Sequence, residues 1–383
     1  MNLPPNPPNP QDAYSNRQFY GTISYAAGGA PPPPRPRPIV TPIRIAIVVL
    51  LMVPVLFVGY LRGWFRRGRD ERTTALVEVA PLRLAPDAQP VAGPPGVDAD
   101  GYPTQYIDPT ILRAMLARQR YADLTTYVEH FEDDFEADPR KEYWIHDVAD
   151  AFGSGEMSLE TQLDAWVAAS PTSFAPYLAR GAHRAEIAFN QRGFAFINKT
   201  KKSDLTAMKR TLAFASDDLA RALSIRPKLV AAKREQLTID LLVGDEHDAS
   251  RVVGEALATC PTCFLIRASY LTNISPRWGG SYAEMSAFAD AAPVKDNGRL
   301  RFLPAYVDDE RARGFRSTHD YASALKAADA ACARADVSDF FLLRSDIRLA
   351  LKDVAGAKAD VDHAISLRPL RAPLLGQRAY ILL

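Results

Sequence analysis

Small apolar residues recur along this chain at a fixed beat. Ala215 and Ala222 stand seven apart, and Pro227 follows five later. Ala249, Ala256 and Pro261 keep the same steps, as do Ala357, Ala364 and Pro369. Ala324, Ala331 and Asp336 keep them without proline, and Leu159, Trp166 and Pro171 keep them with larger side chains. Positions seven apart share a helical stripe, where small residues let two backbones approach closely. A proline just beyond ends the helix and presets φ for the next one. Pro227 to Pro261 spans 34 residues, the period of the tetratricopeptide (TPR) repeat, a helix–turn–helix unit. Each hairpin alone leaves an apolar face in water, so neighbours must stack. The pattern therefore predicts an all-α fold, a TPR-like α-solenoid of helical hairpins.

Other helices follow from apolar spacing. Ile111, Leu112, Met115 and Leu116 mark one from about Pro109, and a second begins near Asp123. Ser158–Ala169 is amphipathic, with Leu159, Leu163, Trp166 and Val167 inward. Pro171 to Pro227 is 56 residues, one period plus 22, so an insertion is expected around Asn190–Lys209. After Pro261 a unit runs to a break at Ser275–Tyr282, then a helix at 283–292. Phe302–Arg313 and Asp320–Ala335 read as a further pair, and a last helix without a partner hairpin ends the chain.

The N-terminal part has a different pattern. Residues 1–38 hold 11 prolines, which favour a disordered, polyproline-II-like tail over a packed core. Ile45–Leu61 is an unbroken apolar run, extended by Ile39, Val40 and Ile43 around Arg44. About 20 such residues span a bilayer, so 39–61 is expected to be a single transmembrane helix. Five arginines follow it before residue 73, against Arg35, Arg37 and Arg44 close before or within it. That bias leans toward a cytoplasmic C-terminal side of the cell membrane and leaves a periplasmic one open. Residues 62–108, with a basic flank and repeated proline and glycine, read as a linker.

Charge sharpens the contrast. Residues 1–72 carry nine Arg against three acids, and the remaining 37 basic and 42 acidic residues leave the body mildly acidic. An acidic body disfavours nucleic acid as a partner. The acids from Glu129 to Asp138 read as a solvated helix face. No GxSxG, Walker or GxGxxG string occurs, and the six histidines lack ligand spacing. The sequence therefore nominates no catalytic, cofactor-binding or metal-binding residue.

Three sets of residues remain as candidates. Cys260 and Cys263 form a CxxC, the spacing of a redox pair or half a zinc site. Cys260-Pro-Thr-Cys263-Phe264 aligns internally with Ser170-Pro-Thr-Ser173-Phe174, which favours small turn residues. In an oxidising compartment the pair would close a disulfide. Arg277, Trp278, Gly279, Gly280 and Tyr282 form a glycine-turned loop. It is either an exposed interaction edge or a staple, with Trp278 packed under the turn and Arg277 paired to an acid. Arg180, Arg267, Arg344 and Arg378 each precede a small residue. They form either a basic ladder for a carboxylate ligand or salt bridges to a neighbouring hairpin.

Four strings suggest a family. LDAWVAASPTSFAPYLARG (163–181), QRGFAF (191–196), SDDLARALSIRPKLVAA (216–232) and SPRWGGSYAEMSAFA (275–289) together resemble the bacterial DUF4034 family. The resemblance implies a helical domain next to TPR-like helices and carries no activity. The chain then divides into a 1–38 tail, a 39–61 span, a 62–108 linker, a 109–292 DUF4034-like domain and 293–383 TPR-like repeats. The expected function is non-enzymatic: a membrane-tethered helical-repeat protein that binds an unknown protein or peptide and needs no cofactor. The alternative is a thiol-redox or metal-binding protein using Cys260 and Cys263, or an enzyme with an unrecognised site.

Overall fold

The computed structural model describes residues 88–192, 200–244 and 246–382, and these are predominantly α-helical. A strap of residues 88–108 comes first. In it β1 (Val91–Ala92) pairs antiparallel with β2 (Tyr106–Ile107), Val91 opposite Ile107. Helices α1 (Pro109–Ala117), α2 (Tyr121–Ala137), α3 (Glu142–Phe152) and α4 (Ser158–Ala169) follow. Next are α5 (Ala175–Arg192), α6 (Lys202–Ile225), α7 (Val230–Val243), α8 (Glu246–Thr259), α9 (Leu265–Asn273) and α10 (Tyr282–Asp290). The last are α11 (Ala305–Ser317), α12 (Tyr321–Arg334), α13 (Ser338–Ala350), α14 (Val354–Leu367) and α15 (Ala372–Leu382).

Local chemistry sets several boundaries. The Asp108 carboxylate accepts from Thr110 N (2.8 Å) at the start of α1, with Pro109 in the first turn. Asp320 and Asp353 do the same for α12 and α14, accepting from Ser323 N (3.1 Å) and Gly356 N (2.9 Å). The prolines mark one recurrent turn. The carbonyls of Ser170, Arg226, Cys260 and Arg368 accept from the amides of Ser173, Leu229, Cys263 and Arg371 at 3.1–3.4 Å. The amides of those first four residues donate back to Trp166, Ala222, Ala256 and Ala364. Proline sits second in each turn, where its fixed φ fits.

The alanine stripes are interior. Ala215, Ala222, Ala249, Ala256, Ala324, Ala331, Ala357 and Ala364 are all buried. Helices α5 and α6 share the most extensive contact, followed by α11 with α12 and α13 with α14. At Gly181 an added Cβ would lie 2.8 Å from Leu219 of α6, so this crossing admits only glycine without a shift.

Several expectations are corrected. Residues 88–108 are no free linker: Tyr102 and Ile107 are buried, and Trp144 Nε1 donates to the Gln105 carbonyl at 3.1 Å. Two apolar anchors outweigh the proline-rich composition there. Much of the expected 190–209 insertion is helical, because α5 runs to Arg192 and α6 starts at Lys202. The boundary at 292–293 falls inside one hydrophobic cluster that holds Phe264, Leu271, Met285, Leu300 and Val307. The 1–38 tail and the 39–61 span lie outside the described residues. Among the described residues no helix is long and apolar enough to cross a membrane, so the structure lends the membrane anchor no support.

Candidate functional site

A cavity of about 620 Å³ lies against the inner faces of α3, α7, α9 and α11. The start of α13, the end of α14, strap residues 103–106 and part of α5 also line it. Its lining is mixed. Tyr143, Trp278, Phe302 and Tyr306 supply aromatic surface, and nine carboxylates face six arginines with no lysine. The volume is that of a ligand site, roughly 300–1,000 Å³.

Most of the cavity's charge is paired. Arg234 of α7 meets Asp150 of α3 at 3.1 Å, Arg313 meets Asp309 at 2.6 Å and Arg371 meets Asp339 at 2.7 Å. Arg368, just after α14, pairs with Asp147 of α3, bringing together residues 221 apart in sequence. Burial raises the Asp147 carboxyl above its ordinary pKa, and Arg368 opposes that shift. Next to Asp147 on α3 is His146, buried, with no hydrogen-bond partner on either ring nitrogen. Burial, then Arg234 and Arg368, hold its pKa well below the usual histidine value, so the imidazole is neutral.

One wall is tied down at a single carboxylate. Glu142 accepts from the amides of Phe264 (3.0 Å) and Leu265 (2.9 Å) at the start of α9, and from the Tyr102 hydroxyl (2.9 Å). Asn297 Nδ2 donates to both the Tyr102 hydroxyl (2.7 Å) and the Thr262 carbonyl (2.8 Å). The Arg299 guanidinium stacks 3.8 Å from the Tyr102 ring centre and pairs with Asp98. The strap is thus fastened to α3, to the turn before α9 and to the segment before α11. Burial raises the Glu142 pKa to about 7 despite its three donors.

The residues nominated by sequence fall in three places. Cys260 and Cys263 are buried and joined by a disulfide, inside the turn that Glu142 and Asn297 hold. Arg277 is no exposed edge. It is buried, and its Nε and Nη2 donate to Glu310 of α11, the former at 2.6 Å. Trp278 is half-buried and lines the cavity. Gly279 has φ +108°, and a Cβ at Gly280 would meet the Ile274 carbonyl oxygen at 2.1 Å, so the loop needs both glycines. Tyr282 is half-buried beneath the Arg311 guanidinium.

The arginines do not form a ladder in the cavity. Arg180 of α5 holds Asp218 of α6 with two bonds (2.9 and 2.6 Å) and Asp164 of α4 with a third (2.7 Å). Arg344 of α13 repeats this with Asp360 of α14 (3.0 and 2.7 Å) and Asp329 of α12 (2.9 Å). Arg184 and Arg348, one turn on, reach the same Asp218 and Asp360. Arg378 pairs with Asp362 at 2.8 Å. Arg267 donates to the Pro261 carbonyl (2.9 Å) and lies over Phe288, with burial pulling its pKa down.

The acidic face of α2 departs from expectation at one residue. Glu132 is fully buried, neither oxygen has a partner, and burial raises its pKa to about 9. Among the described residues no group of three or more His, Cys, Asp or Glu is arranged to hold a metal ion.

A scan of the chain against protein-family models finds no match, and a comparison with curated proteins finds none either. The expected membership of the DUF4034 family is overturned on that finding: the four strings carried a likeness of helix-turn composition that no family model supports.

Sequence reasoning missed Glu142, His146, Asp150 and Asn297. One signal was present. Glu142, Ile145, Ala149 and Phe152 follow helical spacing, so a carboxylate stands on the apolar stripe of α3.

Proposed function

We propose that this chain is a non-enzymatic helical-repeat protein of the TPR-like α-solenoid kind, and that its cavity binds a segment of another protein. The observation that carries the reading is the cavity's construction. Helices α3, α7, α9, α11 and α13 each contribute to it, so one ligand would touch several successive units. The buried alanine stripes and the recurrent proline turn support the repeat reading. The duplicated Arg–Asp clasps at Arg180 and Arg344 support it independently. The thiol-redox alternative draws less support, because exchange requires an accessible sulfur and both cysteines are buried.

A photocrosslinking residue at Thr272, in the cavity wall, tests the proposal against the same residue at exposed Phe214 of α6. Discrete adducts from position 272 and none from 214 are expected. Equal adduct patterns from both positions would remove the cavity as the binding surface.

A further inference from the structure

We infer that the outward face of α6 docks on an anionic bilayer surface, its cations at the lipid phosphates and Phe214 in the apolar boundary beneath them. The inference is independent of the cavity and of what binds there.

The first observation is a set of cations that the fold does not use. Residues 200–214 carry Lys201, Lys202, Lys209 and Arg210 against one acid, Asp204, in a body that is otherwise mildly acidic. All four cations are exposed, and among the described residues no carboxylate pairs with any of their side chains. The sequence explains this. Along a helix an ion pair forms with a carboxylate three or four residues away. Lys202, Lys209 and Arg210 have none at those positions. Exposed cations on other helices do. Arg251 of α8 holds Asp248 (2.6 Å) and Glu255 (2.7 Å), and Lys358 of α14 holds Asp362 (2.6 Å). Lys201 and Lys202 also stand at the N-terminus of α6, where the helix dipole disfavours a cation and the Lys201 side chain makes no cap.

The second observation is where these side chains lie. Met208, Leu212, Ala215 and Leu219 are buried and set the inner face of α6. Helical spacing then puts Lys202, Lys209 and Arg210 outward, with Phe214 one turn beyond Arg210. Phe214 is 52% exposed, the one exposed phenylalanine among the described residues. No residue of α6 lines the cavity, so this is an open helix face. Protein interfaces are depleted in lysine and demand a complementary shape. A lipid surface makes neither demand. Its phosphates attract cations wherever they land, and an aromatic ring beside them enters the apolar boundary. Long lysine stems keep the charge at the phosphates while the ring sinks.

A local probe on the full chain tests the inference. Cys332→Ser removes the free thiol, and Ala213→Cys, on the exposed face, carries an NBD fluorophore. The chain is mixed with phosphatidylcholine vesicles, with or without phosphatidylglycerol. A blue shift and quenching by spin-labelled lipid are expected with phosphatidylglycerol and not without it. Added salt should reverse both, because it screens exposed charge. Replacing Lys202, Lys209 and Arg210 together by glutamine, which suits an exposed helix, should raise the half-maximal lipid concentration about 100-fold. Lys295→Gln with Lys352→Gln, exposed lysines elsewhere on the body, should change little. If the glutamine variant fails to fold, the lipid and salt comparisons on the native cations decide the matter alone. A probe that stays in water with both vesicles, a shift equal in both, or one that survives the glutamine substitutions would overturn the inference. Discrete protein adducts from position 214 in the crosslinking experiment would assign this face to a protein and overturn it too.

Discussion

The turns at Ser170–Phe174 and Cys260–Phe264 follow the same backbone path and are held by different means. In each, proline sits second and the first carbonyl accepts from an amide three residues on. At the first turn the fourth residue caps the next helix locally. Ser173 Oγ accepts from Ala175 N at 3.2 Å, and its hydroxyl donates to Glu129 at 2.7 Å. At the second turn Cys263 is committed to a disulfide and caps nothing. The amides of Phe264 and Leu265 are taken instead by Glu142, more than 120 residues earlier. The residue four before the turn differs too. Trp166 fills the interior at the first, and Ala256 admits a close neighbour at the second. A shared local sequence therefore builds a shared turn, while the load each turn carries is set by what packs on it. The first turn is a joint between α4 and α5. The second is the node that fastens strap, α3 and the segment before α11.

Changes at four places would break or sharpen this contrast. Trp166→Ala should have the largest effect, about 3–5 kcal/mol, because it empties a buried site against Phe152 and strips Thr125 of its indole donor. Urea unfolding would register it as a lower midpoint, and a loss below about 1 kcal/mol would mean the first turn's anchor is not Trp166.

Glu142→Ala comes next, at about 3 kcal/mol, since three buried donors lose their acceptor. Its conservative counterpart carries a pH signature. The Glu142 pKa rises from 4.5 to about 7 on folding. Between those values the folded state holds more protons than the unfolded one, so this group's stabilising share is full below pH 4.5 and is lost as pH rises to 7. Glu142→Gln should flatten that slope in a stability–pH series, and an unchanged slope would assign the titration elsewhere.

Replacing Cys260 and Cys263 together by serine should cost about 2 kcal/mol, the entropy of a short closed loop. The turn itself should survive, because Ser170 and Ser173 already form it without a bridge. Matching thermal melts with and without reductant for the wild type would show that the bridge contributes nothing. Ser173→Ala should be the mildest, about 1 kcal/mol for a lost helix cap, read from the same melts.

The sequence by itself determined the helices and their joints. Ser158–Ala169 is found with the bounds its apolar spacing predicts, and the turns at Pro171, Pro227, Pro261 and Pro369 fall where the alanine beat places them. These features are local: periodicity, a φ-restricted proline and small residues act within one or two turns of chain. The composition of 88–108 misled, because burial of Tyr102 and Ile107 is a tertiary event. A likeness of strings misled as well, because alanine-rich helix-turn segments recur wherever hairpins must pack. Only the tertiary structure decided the site. Asp147 meets Arg368, Glu142 meets Phe264 and Tyr102 meets Asn297 across 221, 122 and 195 residues, and no spacing rule spans such distances. His146 on a helix face reads as an ordinary polar residue until neighbouring helices enclose it. Burial and the field of Arg234 and Arg368 then hold it neutral beside the cavity.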